Sequence, residues 1–287
     1  MSNVARLEHS AFRREDGEKT RSLRIYDDPT YRVSWCLMKG VPRPCFTNEL
    51  LSEFHEYIRT VKQEMHESQG KKYDYIVVGS DVDGIFNLGG DLSMFRSYIE
   101  TNNRDDLFNY AIRCIDILHE NLTHLKCDLT TISLVQGDAL GGGFESALGS
   151  NVIIAEKGVK MGLPEVLFNL FPGMGAYSLL SRRIGTSKAE RLILSGKLHT
   201  SDELYDMGVI DILAEKGEGE VAVYKYIKGA NRYSNTYNSI RKVRDVCNNI
   251  SYDELIDIAK IWTEAAFNLS EKDLKVMGRL INRQNNI

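Results

Sequence analysis

Residues 135–150 read VQGDALGGGFESALGS. An apolar run, LTTISLVQG over 129–137, leads into three consecutive glycines, Gly141 to Gly143, and a carboxylate follows at Glu145. Leucine and β-branched residues bounded by turn signals read as a strand, so the glycines sit where a strand hands over to a helix. Such a junction bares backbone N–H groups, because the first amides of a helix have no internal acceptor. Three uses compete for it: cradling a nucleotide phosphate, letting a helix pack closely on a sheet, or placing a carboxylate beside open amides.

The phosphate use fits worst. A phosphate loop needs G-x-x-x-x-G-K-[ST], and no Lys or Arg occurs between residues 127 and 156. Gly141-x-Gly143-x-x-Ser146 comes near the dinucleotide fingerprint, with Glu165 downstream as a ribose-binding acid. That acid belongs at the end of the next strand, NVIIAE over 151–156, where Glu156 is too near; Glu165 lies beyond, in GLPEV. A second glycine pair weighs against simple packing. GIFNLGGDL over 84–92 sets Gly89-Gly90 before Asp91, a good N-cap for a helix through Leu92, Phe95 and Ile99. Amides of Gly90 and Gly142 together can hold one oxyanion, and glycine leaves the backbone open to a substrate. A third segment, MGLPEVLFNLFPGMGAY over 161–177, supplies Glu165 as a second carboxylate to face the same substrate as Glu145.

Working outward, SLRIYDDPTYRVSWCLMKG over 22–40 reads as an antiparallel hairpin. Helical spacing of Leu50, Phe54, Tyr57, Ile58, Val61 and Met65 behind Thr47 gives an amphipathic helix. YDYIVVGS over 73–80 is a strand covered on both faces, and Leu107, Tyr110, Ala111, Cys114, Ile117 and Leu118 return to helical period. This alternation predicts an α/β architecture. After Gly162 helix starts crowd together, marked by the capping boxes Ser187-x-x-Glu190, Thr200-x-x-Glu203 and Ser251-x-x-Glu254, and only GVIDIL over 208–213 still reads as strand. The chain divides into a polar lead-in over 1–21, a core over 22–213 and a helical region over 214–287, without a Pro- or Ser-rich linker.

Composition narrows the function classes. The chain has 287 residues, 43% of them hydrophobic, and a net charge of −4 with both signs interspersed, which argues for a globular protein and against a nucleic-acid partner. Five scattered cysteines, with no CxxC pair, fit a reducing cytoplasm rather than a disulfide framework or zinc knuckle. No apolar leader or membrane-length run occurs, so a soluble, unexported protein is expected. The six histidines show no ligand spacing, and no metal site is expected.

FNLGGDL, VQGDALGGGFE and GLPEVLFNLFPGMGAYS, in this order, resemble the crotonase (enoyl-CoA hydratase/isomerase) superfamily. More narrowly they are similar to its diffusible-signal-factor synthase branch, bacterial quorum-sensing enzymes that make cis-2-unsaturated fatty acids. The resemblance runs over about residues 22–284, and its narrower part rests on MGLPEVLF-LFPGMGAYS. It implies a crotonase spiral of ββα units with a C-terminal helical trimerisation region, and a homotrimer or dimer of trimers. It also implies an acyl thioester substrate, a 3-hydroxyacyl chain on acyl carrier protein or an acyl-CoA, no cofactor, and a cognate sensor kinase as a candidate partner. Carried over by position, the oxyanion amides fall on Gly90 and Gly142, the catalytic acids on Glu145 and Glu165, and the acyl pocket on Leu140, Gly141, Met174, Trp262 and Leu280.

The chemistry implied is removal of the C2 proton by one glutamate while the other, protonated, helps the 3-hydroxyl leave, the enolate charge resting on the two amides. Glu165 is assigned the C2 proton and Glu145 the hydroxyl, with the reverse order open. Thioester hydrolysis would then use water directly, since the chain has no G-x-S-x-G nucleophile motif. Two rival readings stand beside this dehydratase and thioesterase: a plain enoyl-CoA hydratase, and a non-catalytic acyl-binding regulator. Arg182, Arg183, Lys188 and Arg191 read as a solvated helix face before they read as a carrier-protein patch, and Tyr177 and Ser178 as packing or polar contacts near the site.

Overall fold

A computed structural model describes residues 12–13 and 22–285; the rest of the lead-in expected over 1–21 lies outside the described residues. In chain order, β1 (Phe12–Arg13), β2 (Leu23–Asp28) and β3 (Val33–Met38) precede α1 (Asn48–Glu67). Then follow β4 (Tyr75–Ser80), β5 (Ile85–Asn87), α2 (Leu92–Glu100), α3 (Arg104–Leu122), β6 (Thr130–Val135), β7 (Asp138–Leu140) and α4 (Gly142–Leu148). After β8 (Val152–Glu156) and β9 (Lys160–Gly162) come a tight helical turn at Pro164–Phe168, α5 (Ala176–Ile184), α6 (Thr186–Ser195), β10 (Leu198–Thr200), α7 (Ser201–Asp206) and β11 (Ile212–Ala214). Helices α8 (Gly219–Arg232), α9 (Ser234–Cys247), α10 (Tyr252–Phe267) and α11 (Glu271–Asn285) complete the chain.

The strands form two sheets. The larger runs β1-β2-β3-β4-β6-β8-β11, antiparallel at β1 through β3 and parallel beyond; the smaller runs β10-β9-β7-β5. In β4-β5, β6-β7 and β8-β9 the first strand joins the large sheet and the second the small one, with helix following. This is a spiral of ββα turns, and it stacks the ends of β5, β7 and β9 side by side.

Side-chain alternation explains the large sheet. Trp35, Val77, Ile132 and Ile154 pack toward α8, while Cys36, Ile76, Ile153 and Ala155 join the main core on the other face. Both faces are covered, so the central strands carry near-continuous apolar runs. The small sheet carries no such signal, because its strands are three residues long and show barely one period of alternation.

Several predicted boundaries move. The strand over 129–137 is β6, ending at Val135, with β7 as an additional short strand just beyond it, and the strand over 208–213 becomes β11 at Ile212–Ala214, because Gly208 at φ +84° turns the chain first. β10 is an additional strand after Gly162, antiparallel to β9. The Thr200 capping box is present, and Ser251 caps α10 although Glu254 reaches to Ser178 and Arg182 instead of back to the cap. Ser187 caps nothing: α6 starts behind Gly185, and the Ser187 hydroxyl accepts from Arg191.

Candidate active site

The glycine run serves two purposes. A Cβ on Gly143 would collide with the Asn87 carbonyl, so that glycine lets α4 pack on β5. Gly141, at φ +53°, ends β7; its N–H bonds to the Gly162 carbonyl at 2.9 Å, and a Cβ there would strike Glu165 Oε1. Gly142 opens α4 against the 88–91 loop, where a Cβ on it would stand 3.5 Å from Gly90 N. The two glycine-backed helix starts, far apart in sequence, therefore meet.

Each of these amides belongs to a peptide unit whose carbonyl is pinned. Gly89 O accepts from Phe46 N at 2.8 Å, and Gly141 O accepts from Glu145 N at 3.0 Å. In a planar trans peptide the N–H points opposite its carbonyl, so both bonds restrict the direction of the Gly90 and Gly142 N–H groups. Neither N–H has a protein acceptor among the described residues. Asp91 caps α2 through Met94 N at 3.2 Å and pairs with Arg43 at 2.6 Å, which anchors the loop.

The carboxylates stand in unlike surroundings. Glu145, 1% exposed in the first turn of α4, accepts two backbone bonds on Oε1, from Met174 N at 2.8 Å and Ala176 N at 2.9 Å. Gly175 between those donors has φ +102°, a left-handed turn that brings both amides onto one oxygen. Glu165 lies in the tight turn after β9; its residue is only half-buried, yet Oε2 is enclosed and has no hydrogen-bond partner. Burial raises both carboxyl pKa values, opposed at Glu145 by the two N–H bonds and reinforced at Glu165 by the charge of Glu145. The pair titrates as a unit above the usual carboxylate range.

Gly90, Leu140, Gly141, Gly142, Glu145, Glu165, Met174, Trp262 and Leu280 all line one largely apolar cavity of about 170 Å³. Sequence reasoning missed Phe95, Tyr110, Cys114 and Gln284, which also line it. The Phe95 ring lies edge-on to Tyr110 at 5.1 Å and to Trp262 at 5.2 Å, joining α2, α3 and α10 around the cavity. Helical periodicity marks the first three only as core, and nothing marks Gln284 in a polar C-terminal stretch. Tyr177 is 43% exposed and lies off the cavity. Ser178 bonds to Glu254, Arg182 pairs with Glu254, and Arg183 pairs with Asp211. No cluster of His, Cys, Asp or Glu suited to a metal occurs among the described residues.

Residues 41–261 match the family model described as enoyl-CoA hydratase/isomerase. An enoyl-CoA isomerase/hydratase of Zymoseptoria tritici is 28% identical over 74% of this chain and 67% of its own length. The mitochondrial methylglutaconyl-CoA hydratase of Mus musculus is 34% identical over 57% of this chain and 50% of its own length. Probable enoyl-CoA hydratase 2 of Arabidopsis thaliana is 28% identical over 62% of this chain, which spans 56% of that relative. Among solved structures, an enoyl-CoA hydratase from Bacillus halodurans superposes with a TM-score of 0.75 at 22% identity, covering 90% of this chain and 99% of that one.

Proposed function

The chain belongs to the enoyl-CoA hydratase/isomerase family, and from that premise we propose that it moves water across C2–C3 of an acyl thioester. The supporting observation is the juxtaposition of two glutamates, one buried and one half-buried, and two unpartnered amides in one apolar cavity. The thioester oxygen takes the N–H groups of Gly90 and Gly142, which lowers the energy of an enolate at C2. In the dehydration direction one glutamate takes the C2 proton, the other gives a proton to the 3-hydroxyl, and water leaves as the C2–C3 double bond forms.

Hydrogen bonding supports an order of protons opposite to that taken from sequence. Glu145 Oε1 receives two N–H bonds, which favour its ionised form, so Glu145 is the base. Glu165 Oε2 has no partner and faces the field of Glu145, which favours its neutral form, so Glu165 is the acid. Leu140, Gly141, Met174, Trp262 and Leu280 then hold the acyl chain.

The finer proposal is a dehydratase and thioesterase that takes a 3-hydroxyacyl carrier protein and releases a cis-2-unsaturated signal fatty acid, in the cytoplasm. It rests on the MGLPEVLF-LFPGMGAYS resemblance. A plain enoyl-CoA hydratase is the second reading, favoured by the names of the relatives. Incubation with 3-hydroxyacyl carrier protein and with 3-hydroxyacyl-CoA, followed by mass spectrometry of products, separates them. Free cis-2-enoic acid supports the first, enoyl thioester alone the second, and binding without turnover an acyl-binding regulator.

A further inference from the structure

The oxyanion loop is held from its far side by the last turn of α11. Gln284, on α11, is 5% exposed and lines the cavity one helical turn beyond Leu280. Its Nε2 donates to Leu88 O at 3.1 Å and to Gly90 O at 3.0 Å, and its Oε1 accepts from Leu92 N at 3.4 Å. The amide thus spans the whole 88–92 segment, both donor hydrogens on carbonyls and the acceptor on an N–H. Arg43 makes a second tie between the same parts, bonding to Asp91 at 2.6 Å and to Asn285 at 3.3 Å.

Gly90 has no side chain to limit its backbone, so the direction of its N–H depends on what holds its two flanking peptides. Phe46 N pins the preceding one through Gly89 O, and Gln284 pins the following one through Gly90 O. We infer that Gln284 is a positioning residue: it orients the Gly90 amide toward the thioester oxygen and so makes the oxyanion hole depend on docking of α11. This inference rests on the acyl-thioester reading of the cavity. An oxyanion donor acts only when already aimed at the developing charge, so slack at Gly90 lowers turnover more than it lowers binding.

The test uses the full chain and decanoyl-pantetheine, the portion common to coenzyme A and carrier-protein thioesters, labelled with ¹³C at the carbonyl. In wild type, binding should lower the carbonyl stretching frequency as the amides polarise the bond. Gln284→Ala should lose most of that lowering while its affinity changes by less than about threefold, and kcat on a 3-hydroxydecanoyl thioester should fall ~10–100-fold with little change in KM. Gln284→Glu places a carboxylate against two carbonyls. Its kcat relative to wild type should therefore climb as pH falls from about 8 to about 6, where protonation restores a donor.

Unchanged carbonyl frequency and kcat in Gln284→Ala, with only a lower Tm, would assign the residue a purely structural part and overturn the inference. A flat Gln284→Glu ratio across that pH range would overturn it as well. A wild-type protein that neither binds the thioester nor shifts its carbonyl removes the acyl-thioester reading, and the Gln284 role with it.

Discussion

At the scale of single residues, the site is an imbalance between two similar groups. Glu145 and Glu165 are both glutamates in one apolar cavity, yet backbone N–H groups converge on the first and none reaches Oε2 of the second. Glu145→Gln and Glu165→Gln should each lower turnover at least ~10²-fold in a steady-state assay while circular dichroism stays native. Stability supplies an independent check. Burial holds the Glu165 carboxyl above its ordinary 4.5, to about 8, so folding pulls a proton onto it. The resulting cost is absent below the unfolded value and grows as pH rises toward the folded one. Glu165→Gln should accordingly raise Tm by at least ~2 °C at pH 8, a gain that shrinks as pH falls and vanishes only below about pH 4 in thermal melts. Gly141 can carry no side chain, since its φ is +53° and a Cβ would strike Glu165 Oε1. Gly141→Ala should cost ~1–3 kcal/mol in denaturant titrations and remove activity together with it. The identity of all these residues was legible in sequence; the proposed proton order was not, because it rests on Met174 and Ala176, which the turn at Gly175 brings back onto α4.

Among elements, local pattern and long-range packing diverge at the helix starts. Thr200 and Ser187 carry the same S/T-x-x-E signature, and only Thr200 forms the reciprocal pair of bonds. β10 ends at Thr200 in extended backbone, the geometry an N-cap needs, whereas Ser187 already lies inside α6 behind Gly185. Thr200→Ala should therefore cost about 1 kcal/mol by urea unfolding, and Ser187→Ala should fall within about 0.5 kcal/mol of wild type. The large sheet was readable because its central strands β3, β4, β6 and β8 run five or six residues and bury both faces. The small sheet was not, since three-residue strands gain their order from pairing with neighbours distant in sequence.

For the whole molecule, α9 and the residue that precedes it leave a run of large apolar side chains exposed. Tyr233, Tyr237, Ile240, Val243 and Val246 are between 41% and 82% exposed and recur at helical spacing, a stripe of the kind that marks an interface. The proposed homotrimer or dimer of trimers is expected to cover it. Light scattering should give a multiple of the 32.5 kDa chain for wild type and a smaller species for Ile240→Asp combined with Val243→Asp; equal masses would place the contact elsewhere. No helix among the described residues is long and apolar enough to cross a membrane. The sequence by itself determined the α/β class, the central strands and the main helices, and it singled out Gly90, Gly142, Glu145 and Glu165 as candidates, since these follow from local spacing and from motifs at chain turns. Only the tertiary structure decided that two glycine turns some fifty residues apart share one surface, that two backbone N–H groups converge on Glu145 while Oε2 of Glu165 is left without a partner, and that Gln284 closes the loop from α11. Each of those is a contact between segments with no common local pattern, so its energy appears only once the two sheets and α11 have come together.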